Sequence, residues 1–294
     1  MDFSRRRSIF LFSAIFSAFI FLASVSVINA CTLWSAVGSR VAHKGGLIAK
    51  NRDWTPEPSV FHLVQPRVGF RSLGLFPIRD GKQQGLVAGV NEKGLVVVTA
   101  SASSIPEADR EKGGSGLARQ LLTLFSTVEE VQLNKSVFAR THPVIFLIAD
   151  RSQTTWIEVA PEGKFALRAS KKGVLMHTNH YLDKTLIDAN KKIGRSSRTR
   201  LGRIGELLDR HPEPFTLEDF IAFSQDRNDG PDDSLWRTGE KPDGTRTLAS
   251  WIVSLPPAAP PELFFRLANP GEPEQTMQLT LDRPFWKSMN ELVF

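Results

Sequence analysis

The sequence predicts an α+β fold of antiparallel sheets covered by helices. Short runs of strand-forming residues dominate both ends of the chain, and many are joined by short turns such as Asn91-Glu92-Lys93-Gly94, Pro161-Glu162-Gly163 and Asn269-Pro270-Gly271. Connections that short make antiparallel hairpins. Helical patterns cluster in the middle of the chain instead of alternating with strands, which argues against a doubly wound parallel sheet.

In chain order, the first strands are expected at residues 32–37 and 46–50, where apolar and polar residues alternate or β-branched residues accumulate. Further strands follow at 85–90, 95–100, 144–149, 154–159, 165–169 and 174–177, and near the end at 247–254, 263–267 and 276–281. Residues 116–125 carry apolar side chains at helical spacing, and Ser126-Thr127-Val128-Glu129 is a capping-box sequence opening a second helix. Residues 197–210 are amphipathic, with Leu201, Ile204, Leu207 and Leu208 on one face, and Thr216-Leu217-Glu218-Asp219 opens a fourth helix. Residues 255–261, Leu-Pro-Pro-Ala-Ala-Pro-Pro, form a stiff loop too short to link domains. Residues 226–244, rich in Asp, Gly, Asn and Pro, read as a long surface loop, with an ordinary solvent loop favoured over a pocket wall.

Composition is that of an ordinary globular protein, with 41% hydrophobic and 23% charged residues among 294. The net charge is +6, but both signs are interspersed, so the basic balance describes a surface and excludes a nucleic-acid footprint. Arg5, Arg6 and Arg7, an apolar run over 9–28, and Ile28-Asn29-Ala30 make the three regions of a secretory signal. The expected organisation is a signal peptide at 1–30 and one catalytic domain at 31–294, which places the mature protein in the periplasm or outside the cell. An uncleaved run would instead serve as an anchor.

Cys31 is the only cysteine of the chain and directly follows that junction. Three readings compete for it: a small buried residue, an acylated lipoprotein cysteine, or a nucleophile created at a new N-terminus. A lipoprotein cysteine is usually followed by a polar tether, whereas Thr32-Leu33-Trp34-Ser35-Ala36-Val37 leads straight into a strand. A terminal cysteine carries a thiol and an α-amine on one residue, which is a nucleophile with its own base. Pairing of 31–37 with 46–50 brings Lys50-Asn51-Arg52-Asp53-Trp54 beside Cys31. A carboxylate there suits an α-ammonium, and a cation lowers a thiol pKa.

These residues resemble the N-terminal-nucleophile (Ntn) hydrolases of the choloylglycine hydrolase and penicillin V acylase group, and still more the acyl-coenzyme A:6-aminopenicillanic acid acyltransferase-like proteins. The resemblance rests on Cys31-Thr32, the hairpin, Lys50 to Trp54, Gly89-Val90-Asn91-Glu92-Lys93-Gly94-Leu95, His177-Thr178-Asn179-His180-Tyr181 and Ser196-Ser197-Arg198-Thr199-Arg200-Leu201. It implies a four-layer αββα Ntn-hydrolase sandwich and hydrolysis of linear amides without metal or cofactor. Cys31 would be the nucleophile, Asp53 would orient its amine, and Asn179 would stabilise the oxyanion. Lys50 stands where the family has an arginine, and Ser101 where the bile-salt branch has a second asparagine. Of Arg198 and Arg200, Arg198 is favoured as the site arginine.

The implied partner is a small N-acyl amide of bile-salt, penicillin V or acyl-homoserine-lactone type. No nucleic acid and no stable membrane association after cleavage are expected, and related enzymes are often homo-oligomers. Transfer to an amine could accompany hydrolysis. The competing function is a membrane-anchored or lipidated binding protein of the same fold. His177 and His180 sit at a strand end, where their spacing does not align two side chains on a metal. Of the tryptophans, Trp54 and Trp236 are expected near the pocket, and Trp34, Trp156, Trp251 and Trp286 in the core.

Overall fold

A computed structural model describes residues 30–288, so the expected signal segment lies outside the described residues apart from Ala30. In chain order the strands are β1 (Ala30–Val37), β2 (Gly46–Trp54), β3 (Ser59–Val64), β4 (Ser72–Arg79), β5 (Lys82–Gln83), β6 (Ala88–Asn91) and β7 (Val96–Ser101). They continue as β8 (Val144–Ala149), β9 (Thr154–Val159), β10 (Phe165–Ser170), β11 (Gly173–His177), β12 (Arg246–Leu255), β13 (Glu262–Leu267) and β14 (Gln275–Thr280). The helices are α1 (Glu107–Arg110), α2 (Leu117–Leu124), α3 (Val128–Leu133), α4 (Arg195–Arg210), α5 (Leu217–Ser224), α6 (Gly230–Asp233) and α7 (Arg283–Ser288).

The strands form two sheets. One runs β11-β1-β2-β12-β13-β14 and the other β10-β9-β8-β7-β6-β4-β3, with β5 paired to β4. All pairings between these strands are antiparallel. Because side chains alternate between faces, each sheet has two apolar surfaces to cover. Leu33, Ile48, Leu73, Val98, Leu147, Trp251 and Phe265 meet between the sheets. Val97, Phe146 and Ile148 turn outward onto Leu117, Leu121, Val128 and Val131 of α2 and α3. Trp34, Ala36 and Leu47 turn the other way onto Ile204, Leu208 and Phe220 of α4 and α5. The result is helix, sheet, sheet, helix.

Local sequence signals explain most boundaries. Thr127 caps α3, accepting from the Glu130 backbone while the Glu130 carboxylate returns to the cap, so the box sits one residue later than expected. Thr216 and Asp219 form the same box at α5. Asn91 closes the turn into β7, its Oδ1 accepting from the N–H groups of Lys93 and Leu95 at 3.1 and 2.9 Å. Its Nδ2 donates to the carbonyls of Leu122 and Phe125 and so pins the end of α2. Gly94 completes that turn at φ 89°, a conformation that favours glycine.

Two expectations need correction. β2 does not end at Lys50 but continues to Trp54, because its polar residues are enclosed by the site and not exposed at a rim. β3, β4 and β5 fall where no strand was expected. Gly74, Pro77 and the prolines around β3 mask their periodicity.

Trp251, fully buried, stacks on Phe61 at 5.6 Å between the sheets, and Phe61 in turn meets Phe265. Trp251→Ala should destabilise the protein by about 3–5 kcal/mol. A fall in the urea midpoint at unchanged slope would show it, and an unchanged midpoint would contradict this packing.

Candidate active site

β1 and β2 pair with Cys31 opposite Arg52, Leu33 opposite Lys50, and Ala30 opposite Asp53. Alternation then sorts the polar run of β2. Lys50 and Arg52 share the inner face with Cys31 and line a cavity of about 430 Å³, while Asn51 and Asp53 point back toward the helices. The cavity is also lined by Trp54, Glu57, Arg79, Thr99, Ser101 and apolar side chains including Leu86, Val87, Leu117 and Phe146. Cys31 itself is 4% exposed.

Behind Cys31, Asn179 follows β11 and accepts at Oδ1 from the Cys31 N–H at 2.8 Å. Its Nδ2 donates to the Ser101 carbonyl at 2.9 Å, leaving a second amide hydrogen for another acceptor. Arg200 reaches in from α4. Its Nη1 donates to the Cys31 carbonyl at 2.6 Å and to Thr32 Oγ1 at 2.7 Å, and its Nη2 donates to Asn179 Oδ1 at 3.1 Å. Asp53 Oδ2 lies 3.8 Å from Arg200 Nη1. Asp53 Oδ1 accepts from Thr247 Oγ1 at 2.8 Å, whereas Oδ2 has no hydrogen-bond partner.

The charges here are buried, and burial sets their proton affinities. Desolvation raises the Asp53 pKa, against the opposing pull of Arg200 and Arg237. It pushes Arg200 down to about 10, with Asp53 resisting the shift. Lys50 is lowered by the same cause, partly offset by the adjacent Cys31 thiol, while its Nζ donates to the Thr99 carbonyl.

The geometry gathers Cys31, Lys50, Asp53, Asn179, Trp54 and Ser101, as the sequence suggested, but corrects two other choices. Arg198 lies apart, its Nη1 bonded to the Ile193 carbonyl at the exposed start of α4. Arg200 is the fully buried arginine of that helix, two positions further round. Trp236 is held away from the cavity. Its N–H donates to the Asp226 carbonyl and its ring lies under the Arg266 guanidinium at 5.2 Å. Residues 226–244 do not line the cavity, yet the Leu235 carbonyl anchors Asn51 Nδ2 and Arg237 faces Asp53. Arg52, Arg237 and Thr247 were missed. Period-two reading of Lys50 to Asp53 would have flagged Arg52 as facing the cysteine.

The two histidines are structural neighbours of Asn179. His177 Nε2 lies 2.6 Å from Glu158 Oε1, and Glu158 also accepts from the Leu182 and Asp183 N–H groups, tying down the turn after β11. His180 Nδ1 lies 2.8 Å from Ser197 Oγ, which accepts from the Asn179 N–H. Among the described residues no His, Cys, Asp and Glu cluster suits a metal ion, and no helix is long and apolar enough to cross a membrane.

Desolvation, with His177 adding to it, lowers the His180 pKa from 6.5 to about 4. The unfolded chain therefore binds a proton that the folded one refuses between those values. Stability falls as pH drops through that window, by about 3 kcal/mol once below it. Urea unfolding at pH 4 and 7.5 should show a smaller acid loss in His180→Gln than in the parent protein. Equal losses would remove His180 as the cause.

Comparison with known proteins bears on the family and the fold. The family model of acyl-coenzyme A:6-aminopenicillanic acid acyl-transferase matches residues 41–272. Among curated proteins none matches the sequence. Penicillin V acylase from Agrobacterium tumefaciens superposes with a TM-score of 0.54 at 18% identity, over 86% of this chain and 89% of that one. A variant of the conjugated bile acid hydrolase from Clostridium perfringens aligns at 12% identity and a TM-score of 0.44, over 86% and 94% of the two chains. With two antiparallel sheets between helical layers and a family match over most of its length, the chain belongs to the acyl-coenzyme A:6-aminopenicillanic acid acyl-transferase family and has the Ntn-hydrolase fold.

Proposed function

We propose that the protein is an exported cysteine Ntn hydrolase that cleaves the linear amide bond of an N-acyl substrate. The observation that carries this reading is Cys31 on the cavity wall, with its nitrogen bonded to Asn179 and the unsatisfied Asp53 Oδ2 close behind. The Ala30–Cys31 peptide bond is intact in the structure, so the α-amine forms only when that bond is hydrolysed. A free α-ammonium at Cys31 would supply the partner that Asp53 Oδ2 lacks.

In the reaction, the Cys31 amine takes the thiol proton as sulfur attacks the acyl carbonyl carbon. The second amide hydrogen of Asn179 and the Lys50 ammonium favour the negative charge that develops. The amine then returns the proton to the departing nitrogen as the C–N bond breaks, leaving a thioester on Cys31. Water adds to the thioester, the carboxylic acid leaves and the thiol is restored. An amine in place of water would give acyl transfer. Conjugated bile salts, penicillin V and acyl-homoserine lactones are the substrate types to screen. The alternative, a lipidated or anchored binding protein, fits less well, because Cys31 lies at 4% exposure within a paired strand and has no tether after it.

Intact mass and N-terminal sequencing of protein from exporting cells should give a chain beginning at unmodified Cys31. A retained leader or an acylated cysteine would defeat the mechanism. Cys31→Ala should abolish turnover with unfolding unchanged, and Asp53→Asn should lower kcat by about 10²-fold or more. Arg200→Gln should cost a similar factor by releasing Asn179 and Cys31, whereas Arg198→Gln should stay within about threefold. The reverse ranking would return the role to Arg198.

A further inference from the structure

We propose that Arg52 binds a carboxylate of the substrate, so that the preferred amides are anionic; this rests on the amidase reading above. Arg52 is directly opposite Cys31 in the strand register and shares its face of the sheet. It lines the cavity yet is 2% exposed. One arm of its guanidinium, Nη2, is bonded to Glu57, and Glu57 is held from its other side by Arg79 Nε at 3.1 Å. The other arm, Nη1, is buried with no hydrogen-bond partner.

A buried guanidinium with an idle donor is costly, and native structures rarely keep one without use. Two neighbouring cations are already engaged. Lys50 donates to the Thr99 carbonyl, and Arg200 is divided among Cys31, Thr32 and Asn179. Arg52, by contrast, keeps Nη1 unpartnered on the strand face it shares with Cys31; Arg110, elsewhere in the cavity lining, keeps an unpartnered Nε. The plane of Arg52 is also fixed, with the Glu57 contact at one end and the Trp54 ring 5.9 Å from its central carbon. Arg79 covers the same ring at 5.0 Å. A planar, preoriented fork suits a carboxylate better than a neutral carbonyl.

The charge balance points the same way. Apart from the paired His177 and Glu158, the buried charged groups around Cys31 are Lys50, Arg52, Arg200 and Arg237 against Asp53 and Glu57. The site therefore holds an excess of positive charge that an anionic ligand would complete. The carboxylate could belong to the leaving amine or to the acyl group. Both put the same chemistry within reach of a residue opposite the nucleophile.

The test uses the mature protein and two matched pairs of amides. N-phenylacetylglycine against N-phenylacetylglycinamide places the charge on the amine side. Glutaric acid mono-p-nitroanilide against the p-nitroanilide of valeric acid places it on the acyl side. The acid of at least one pair should be favoured by about tenfold or more in kcat/KM, mainly through KM. Preference in the first pair assigns the carboxylate to the leaving amine, and in the second to the acyl group. In Arg52→Gln the acid-to-neutral ratio should collapse toward one, and Arg52→Lys should restore only part of it. Equal turnover of acid and neutral amides by the unmodified protein overturns the proposal without any variant. Collapse of the ratio only in an unfolded variant, checked by circular dichroism, is read from that wild-type comparison instead. Failure of the protein to cleave any of the four amides, or a panel of other N-acyl amides, would overturn the amidase reading itself.

Discussion

Arg200 is the interaction on which the site depends. One guanidinium spans the carbonyl of Cys31, the hydroxyl of Thr32 and the side chain of Asn179, and lies beside Asp53. These groups belong to β1, to the segment after β11 and to β2, while Arg200 itself belongs to a helix of another layer. A shift of α4 against the sheet would therefore move all of them together. The apolar stripe of Ile204 and Leu208, packed on Trp34 and Ala36, prevents that shift. The geometry around Cys31 is thus set by helix-on-sheet packing, through one buried cation.

Such an arrangement costs stability. A fully buried ion pair at 3.8 Å loses more hydration than a surface pair and gains less from so imperfect a contact. Asp53 and Arg200 are both displaced toward their neutral forms, so desolvation outweighs their mutual attraction. The three apolar layers offset this cost. The same accounting explains why β2 carries its charges in the middle of a six-stranded sheet: Lys50 and Arg52 serve the cavity face, and Asn51 and Asp53 serve the helix face. Asn51 is fully satisfied, by the Ser224 and Leu235 carbonyls and by Ser250. It links the sheet to the segment that carries Arg237. Arg52 and Asp53, by contrast, each keep one buried polar atom without a hydrogen-bond partner, and Arg237 keeps two.

Much of this was legible in the sequence where local rules decide. The hairpin of β1 and β2, the capping boxes of α3 and α5, and the Asn91 turn follow from spacing and side-chain chemistry alone. So does the placing of Lys50 to Asp53 beside Cys31, because it follows from the same hairpin. What failed depended on three-dimensional enclosure. The run Lys50 to Asp53 reads as the end of a strand by composition, since nothing local states that both faces of β2 are covered. Arg198 and Arg200 are equally polar. Their ranking depends on which turn of α4 faces β1, and that is fixed by Ile204 and Leu208 further along the helix. Trp236 failed for a similar reason, because its partner Arg266 lies on a strand thirty residues away in sequence.

The position of Ala30 constrains when the proposed enzyme becomes active. Ala30 is 1% exposed and paired with Asp53 inside the first sheet. A peptidase needs an extended, accessible chain, and backbone paired on a buried strand does not offer one. In the proposed enzyme, cleavage before Cys31 would therefore precede closure of β1 into the sheet, or wait on opening of that strand end. In the first order of events the α-amine exists before the site forms, and folding delivers it to Asp53. In the second, the carboxylate would gain its missing partner only as Ala30 leaves the position opposite it. Processing and final packing are thereby coupled: the residue that blocks the amine also occupies the place beside its future counter-charge.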